Sequence, residues 1–146
     1  MVLHIFRLSG SMPAVRRMLV CAAFCALLQA LFHVWPDAAQ ARDIDTREAA
    51  TLLHSQPQGL LILDVRTPDE FRLGHLPGAR NMDFFGGRFD VDAAALPKDQ
   101  PVLLYCRTGR RSAEAAETLE KAGVTTILHM SQGIEAWQKA GLPLEK

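Results

Sequence analysis

Thiols are scarce in this chain: three cysteines in 146 residues, at positions 21, 25 and 106. Two of them lie in a stretch that reads as a leader, so the region after residue 41 keeps only Cys106. A single thiol excludes an internal disulfide, and it excludes a redox cycle that needs a second, resolving cysteine. Metal-ligand spacing is lacking as well, because the thiol stands alone and the five histidines are scattered. No metal is therefore expected. Excess charge is the third absence. Over the whole chain 16 Lys and Arg face 16 Asp and Glu, and from residue 42 onward the balance is 13 against 15. Nothing in such a balance calls for nucleic acid or an anionic membrane surface as a partner. The basic charge is instead concentrated in one loop, which points to a small anion.

The first 41 residues have the organisation of a signal peptide. Arg7, Arg16 and Arg17 form a positive start, Met18 to Leu28 is an unbroken apolar run, and Ala39-Gln40-Ala41 gives a small-x-small cleavage pattern before Arg42. This predicts a periplasmic or otherwise exported protein. The rival reading is an uncleaved anchor, since Met18 to Trp35 approaches the roughly 20 residues of a membrane span. Only then would a membrane be a partner. Exported proteins usually pair their cysteines or omit them, so one retained thiol suggests a task for it. Residues 42–146 are enough for one domain with its own core.

Asp45-Thr-Arg-Glu48 is a helix-start signature, with Asp45 as cap and Glu48 at the reciprocal position. The helix continues through His54. Leu60 to Val65 is a nearly continuous apolar strand of the kind buried on both faces. Thr67-Pro-Asp-Glu70 repeats the capping pattern with Pro68 at the first helical position. Gly74 to Gly78 is turn chemistry, followed by a short extended piece around Ala79 to Met82. Phe84 to Phe89 reads as a glycine-containing loop, and Val91 to Leu96 as a short helix. Pro101 to Tyr105 is a second apolar strand, Ser112 to Ala122 a helix ended by Gly123, Val124 to His129 a third strand, and Gly133 to Ala140 the last helix. Strands separated by helices predict a parallel α/β sheet, whose sites form at the carboxyl ends of strands.

Cys106 lies at such an end. A thiol between a strand and a helix start faces backbone N–H groups and the positive end of the helix dipole. Arg107, Arg110 and Arg111 add positive charge within five residues. These settings favour thiolate over thiol and can also hold an anionic substrate. Arg110 or Arg111 has a plainer role available, in solvent or paired with Glu114. Gly109 suits a positive φ or a close backbone approach, and Thr108 offers a hydroxyl to an anion. For Asp64 the alternatives are support of the loop base, or a strand-end cap beside an Arg66–Glu70 ion pair. The plainer reading is favoured there. It is also favoured for His75, as a hydrogen-bonded turn residue, and for Trp137, as core. Phe84, Phe85 and Phe89 either rim the mouth of the site or form a patch under the loop.

Four blocks in order, Asp64-Val-Arg-Thr-Pro-Asp-Glu-Phe71, Gly74-His-Leu-Pro-Gly-Ala-Arg-Asn81, Tyr105-Cys-Arg-Thr-Gly-Arg-Arg-Ser112 and Gly133-Ile-Glu-Ala-Trp137 with Gly141-Leu-Pro143, resemble the rhodanese family. The resemblance implies a single rhodanese-like domain over residues 42–146: a five-stranded parallel sheet with helices on both faces. It implies that Cys106 carries sulfur as a persulfide inside a cradle formed by the residues that follow it, Arg107, Thr108, Gly109, Arg110 and Arg111; Asp64 and Ser112 are the further candidates for support. It further implies a sulfurtransferase that uses thiosulfate or a similar small anionic donor, and cyanide or a thiol as acceptor, without a cofactor. Gln132 departs from the family, which often has a second glycine beside Gly133. Rival readings are a phosphatase or arsenate reductase, a binding module, and a persulfide carrier with a protein partner. The first needs Cys-x5-Arg, and here the sixth residue after Cys106 is Ser112.

Overall fold

The computed structural model describes residues 41–55 and 57–146; apart from Ala41, the expected leader lies outside them. Five strands form one sheet: β1 (Arg42–Ile44), β2 (Leu61–Asp64), β3 (Arg80–Asn81), β4 (Val102–Tyr105) and β5 (Ile127–Met130). Their order is β1-β5-β4-β2-β3 and every pairing is parallel. The helices are α1 (Thr46–Ser55), α2 (Pro68–Arg72), α3 (Phe89–Ala94), α4 (Arg110–Lys121) and α5 (Gly133–Lys139). This is the expected α/β architecture.

Alternation along the strands divides the core into two layers. Leu63, Val65, Val102, Leu104 and Ile127 meet Phe89 and Ala93 of α3 and Ala115, Ala116 and Leu119 of α4. Ile44, Leu103, Tyr105 and Met130 meet Ala49 of α1 and Ile134 and Trp137 of α5. Helices therefore cover both faces, and β4, the middle strand, is buried along its whole length. Each fully buried aliphatic side chain contributes about 1.5–3 kcal/mol. The cores thus fix β4, and with it the position of Cys106 at its carboxyl end.

Local signals were mostly honoured. Thr67 and Glu70 make the complete reciprocal cap on α2. At α1, the Asp45 carboxylate accepts from Glu48 N–H at 2.8 Å, but the Glu48 carboxylate turns to Arg42 instead of returning to the cap. The third expected strand is shifted, because Val124 N–H is used to close the end of α4 on the Leu119 carbonyl. Pairing with β4 begins only at Thr126, whose carbonyl accepts from Val102 N–H at 2.9 Å. Helix α4 begins two residues earlier than expected. Gly109 takes a left-handed conformation, φ 96°, and turns the chain into the helix ahead of Ser112.

Candidate active site

The loop that carries the thiol is shorter than the sequence suggests. Cys106 to Gly109 form the turn, and Arg110 and Arg111 belong to the first turn of α4. Cys106 is 1% exposed, and its Sγ accepts from Gly109 N–H at 3.2 Å and from the Ser112 hydroxyl at 3.4 Å. Burial by itself pushes the thiol's pKa up. The Ser112 hydroxyl and the N–H groups of Ser112, Thr108 and Gly109 outweigh burial, and the net displacement is downward. The cradle is built of amides, as the strand–loop–helix order implies.

Glycine is obligatory at two points of this cradle. A Cβ on Gly109 would stand 1.8 Å from the Ser131 carbonyl oxygen. A Cβ on Gly133, φ 64°, would stand 2.3 Å from the Arg107 carbonyl oxygen. The second contact shows that the β5–α5 turn, distant in sequence, lies directly against the loop. There Ile134 N–H donates to the Cys106 carbonyl at 2.9 Å and Glu135 N–H to the Arg107 carbonyl at 3.1 Å. Beside it, the amide oxygen of Gln132 accepts from Thr46 N–H and from the Thr46 hydroxyl, fastening this turn to α1.

The three arginines differ in setting. Arg107 and Arg110 are exposed, 62% and 89% by side chain, each near one carboxylate: Glu135 at 3.2 Å and Glu114 at 3.7 Å. Arg111 is only 18% exposed and is held by Glu70 through two bonds of 2.7 Å. Together with Phe85, Thr108 and Glu114 they line a shallow pocket. The Phe85 ring lies 6.0 Å from the Arg111 guanidinium carbon, so Phe85 is at the rim, while Phe89 is core and Phe84 packs edge-on between them.

The hydrogen bonds of the Asp64 carboxylate go to Arg66 and not to the loop. That carboxylate is fully buried and receives Arg66, through N–H at 2.9 Å, Nε at 2.9 Å and Nη2 at 2.6 Å. Asp64 does cap its strand end, but the expected Arg66–Glu70 pair does not form. Arg66 is taken by Asp64 and by the Gly74 carbonyl, which leaves Glu70 to Arg111. His75 is a turn residue, its Nδ1 at 3.1 Å from the Phe71 carbonyl and its ring stacked on Phe71.

Sequence reasoning missed two residues near the thiol. His129, 6% exposed on β5, lies with Nε2 at 2.9 Å from Ser112 Oγ. Asp43 on β1 lies at 2.7 Å from its Nδ1. The available signal was a histidine two residues after Ile127, on the inward face at the end of a strand. No group of three or more His, Cys, Asp and Glu among the described residues is arranged to hold a metal ion.

The sequence pattern of the Rhodanese-like domain matches residues 45–140. This chain belongs to that family. It is 34% identical over 97 residues to Thiosulfate sulfurtransferase GlpE of Vibrio cholerae, a match over 66% of this chain and 89% of that protein. It is 35% identical over 140 residues to the Mycobacterium tuberculosis protein named Probable adenylyltransferase/sulfurtransferase MoeZ. That match takes 94% of this rhodanese-like chain but only 34% of the relative's length. Among solved structures, a rhodanese-related protein from Thermoplasma volcanium superposes with a TM-score of 0.61 at 25% identity, covering 71% of this chain and 97% of that one. Sulfur transfer is the activity that the two named relatives share.

Proposed function

We propose that the protein is a sulfurtransferase that moves sulfane sulfur from thiosulfate, or a similar small anion, to a thiophilic acceptor through a Cys106 persulfide. The observation that carries this is the buried thiol ringed by N–H and hydroxyl donors, its pKa drawn down. A thiolate so held attacks the outer sulfur of thiosulfate. A bond forms between Sγ and that sulfur, the donor's own S–S bond breaks, and its electron pair leaves with sulfite. Amides aimed at the sulfur stabilise the charge on the persulfide. Arg107 and Arg110, at the rim, attract the anionic donor and leaving group. Cyanide or a thiolate then attacks the outer sulfur, and Cys106 departs as thiolate.

Ser112 stands where a phosphatase loop needs its arginine, and the neighbouring Arg111 is committed to Glu70, which counts against a phosphatase. The leader-like residues 1–41 support reading the protein as exported, and a mature N-terminus at Arg42 is the expected result of sequencing the secreted form. The chemistry is tested by intact mass of the full chain before and after thiosulfate. A gain of one sulfur that cyanide removes, absent in Cys106→Ser, is expected. A free and alkylatable Cys106 with no gain would sink the proposal.

A further inference from the structure

The His129 imidazole is buried, and the sulfur chemistry above makes no use of it. Both ring nitrogens are engaged. Nδ1 lies 2.7 Å from the Asp43 carboxylate, and Nε2 lies 2.9 Å from Ser112 Oγ and 3.1 Å from the Gly109 carbonyl oxygen. Ser112 Oγ is in turn 3.4 Å from Cys106 Sγ. Four side chains thus form one path from a thiol that is 1% exposed to a carboxylate whose side chain is 72% exposed. The parallel register that sets Asp43 opposite His129 puts both on the face covered by α4.

Counting hydrogens along this path restricts what it can do. A carboxylate and a carbonyl only accept, so Nδ1 facing Asp43 carries a proton. Nε2 then has two states. Bare, it accepts the Ser112 hydroxyl proton, which is thereby turned away from the sulfur. Protonated, it donates to the Gly109 carbonyl and Ser112 Oγ; the carbonyl, which also lies 3.0 Å from Ser112 Oγ as a rival acceptor, is then occupied by the imidazole, and the Ser112 hydrogen turns to Sγ. The second state is the one that stabilises a thiolate. The loop amides also stabilise it, but a donor cannot take the proton that the thiol must lose.

We propose that His129 receives, through the Ser112 hydroxyl, the proton that Cys106 gives up on becoming a thiolate. The S–H bond breaks and its proton passes to Ser112 Oγ, while the proton already on Oγ passes to Nε2. Ser112 emerges as a hydroxyl, and a neutral thiol and imidazole become a thiolate and an imidazolium. Asp43 faces the new positive charge. The titratable groups that face His129 are Asp43 from β1 and, behind Ser112, Cys106. The side of α4 laid on the sheet presents Ser112, Ala115, Ala116 and Leu119, and the β4 residue in register is Leu104. His129 acts through Ser112 and is a positioning residue. The inference rests on Cys106 as the sulfur-carrying thiol.

The test is the rate at which iodoacetamide alkylates Cys106 in the full chain across pH, read on the Cys106 peptide so that Cys21 and Cys25 do not contribute. In His129→Gln the midpoint of the pH–rate curve is expected to rise by about one unit, or about a tenfold slower rate below it, with the high-pH plateau unchanged. A lowered plateau with an unmoved midpoint, or an unchanged curve, overturns the proposal. Should His129→Gln fail to fold, Asp43→Asn decides, since its side chain is largely in solvent. A midpoint raised by about half a unit, or about threefold in rate, is then expected, and an unmoved midpoint overturns the proposal. Sulfur loading from thiosulfate is measured on the same samples. A shifted midpoint without loading in the wild type would sink the transferase reading and leave the proton path standing. Loading with no shift would do the reverse.

Discussion

Arg111 and Glu70 are joined by two parallel hydrogen bonds of 2.7 Å, Nη1 to Oε2 and Nη2 to Oε1, across 41 positions of sequence. An arginine in the first turn of a helix faces the positive end of the helix dipole and gains from a carboxylate beside it. Glu70 supplies that carboxylate while also capping its own helix, accepting from Thr67 N–H at 3.1 Å. One side chain therefore ties the cap of α2 to the start of α4, at the wall of the pocket beside the Cys106 loop.

This pair gives stability a pH signature. Arg111 first, and Thr67 after it, bring the Glu70 carboxyl from its ordinary 4.5 to about 2, although burial opposes them. A carboxyl whose folded pKa is depressed contributes its full stability above the unfolded value and loses it as pH falls toward the folded one. Glu70 is 28% exposed by side chain, so solvent screening holds the contribution to about 1–3 kcal/mol. Urea unfolding of the wild type at pH 6 and pH 3 should show this loss. Glu70→Gln should start lower at pH 6 and lose less between the two. Equal losses in both proteins would contradict the assignment.

Charge removal should separate the arginines. Arg107→Gln and Arg110→Gln are each expected to raise KM for thiosulfate by about fivefold, the equivalent of about 1 kcal/mol, with the melting temperature unmoved. Arg111→Gln should lower the melting temperature as well, because it leaves Glu70 unpaired. Identical melting temperatures in all three variants would remove the distinction drawn between rim and wall.

Gly133→Ala tests the buttress under the loop. The left-handed conformation alone costs about 1–2 kcal/mol for alanine, and the methyl group would also overlap the Arg107 carbonyl. Stability should fall by at least about 2 kcal/mol, and alkylation of Cys106 should slow as the loop shifts. Wild-type alkylation in the variant would show that this turn does not shape the thiol's surroundings.

Local chemistry was legible in the sequence and distant pairing was not. The apolar runs at Leu60–Val65 and Pro101–Tyr105, the Thr67 cap and the thiol after β4 each announce themselves within a few residues. Strand β1, Arg42-Asp-Ile44, has one apolar residue and no period; only its ladder with β5 makes it a strand. Asp43 was invisible for that reason, and His129 was read merely as the end of a strand. Glu70 was assigned to Arg66 because the two are four residues apart, yet Arg66 is held by Asp64, two residues away. Helix α4 starts ahead of Ser112 because the left-handed Gly109 has already turned the chain, a conformation that depends on the packing of the loop against Ser131.

The N–H groups of Ile134 and Glu135 on α5 donate to the outward carbonyls of Cys106 and Arg107, and beyond α5 the chain is clasped to the Gly74–His75 turn by two backbone bonds of 2.9 Å between His75 and Glu145. The loop can direct its amides at the sulfur because its carbonyls are satisfied on the far side. A chain folded only through α4 would have the strand, the helix and the thiol, but nothing to close the loop around the sulfur. Thiol reactivity is in this sense expected to signal completed folding, with Cys106 slow to react while the molecule is being assembled and faster once the last segment docks.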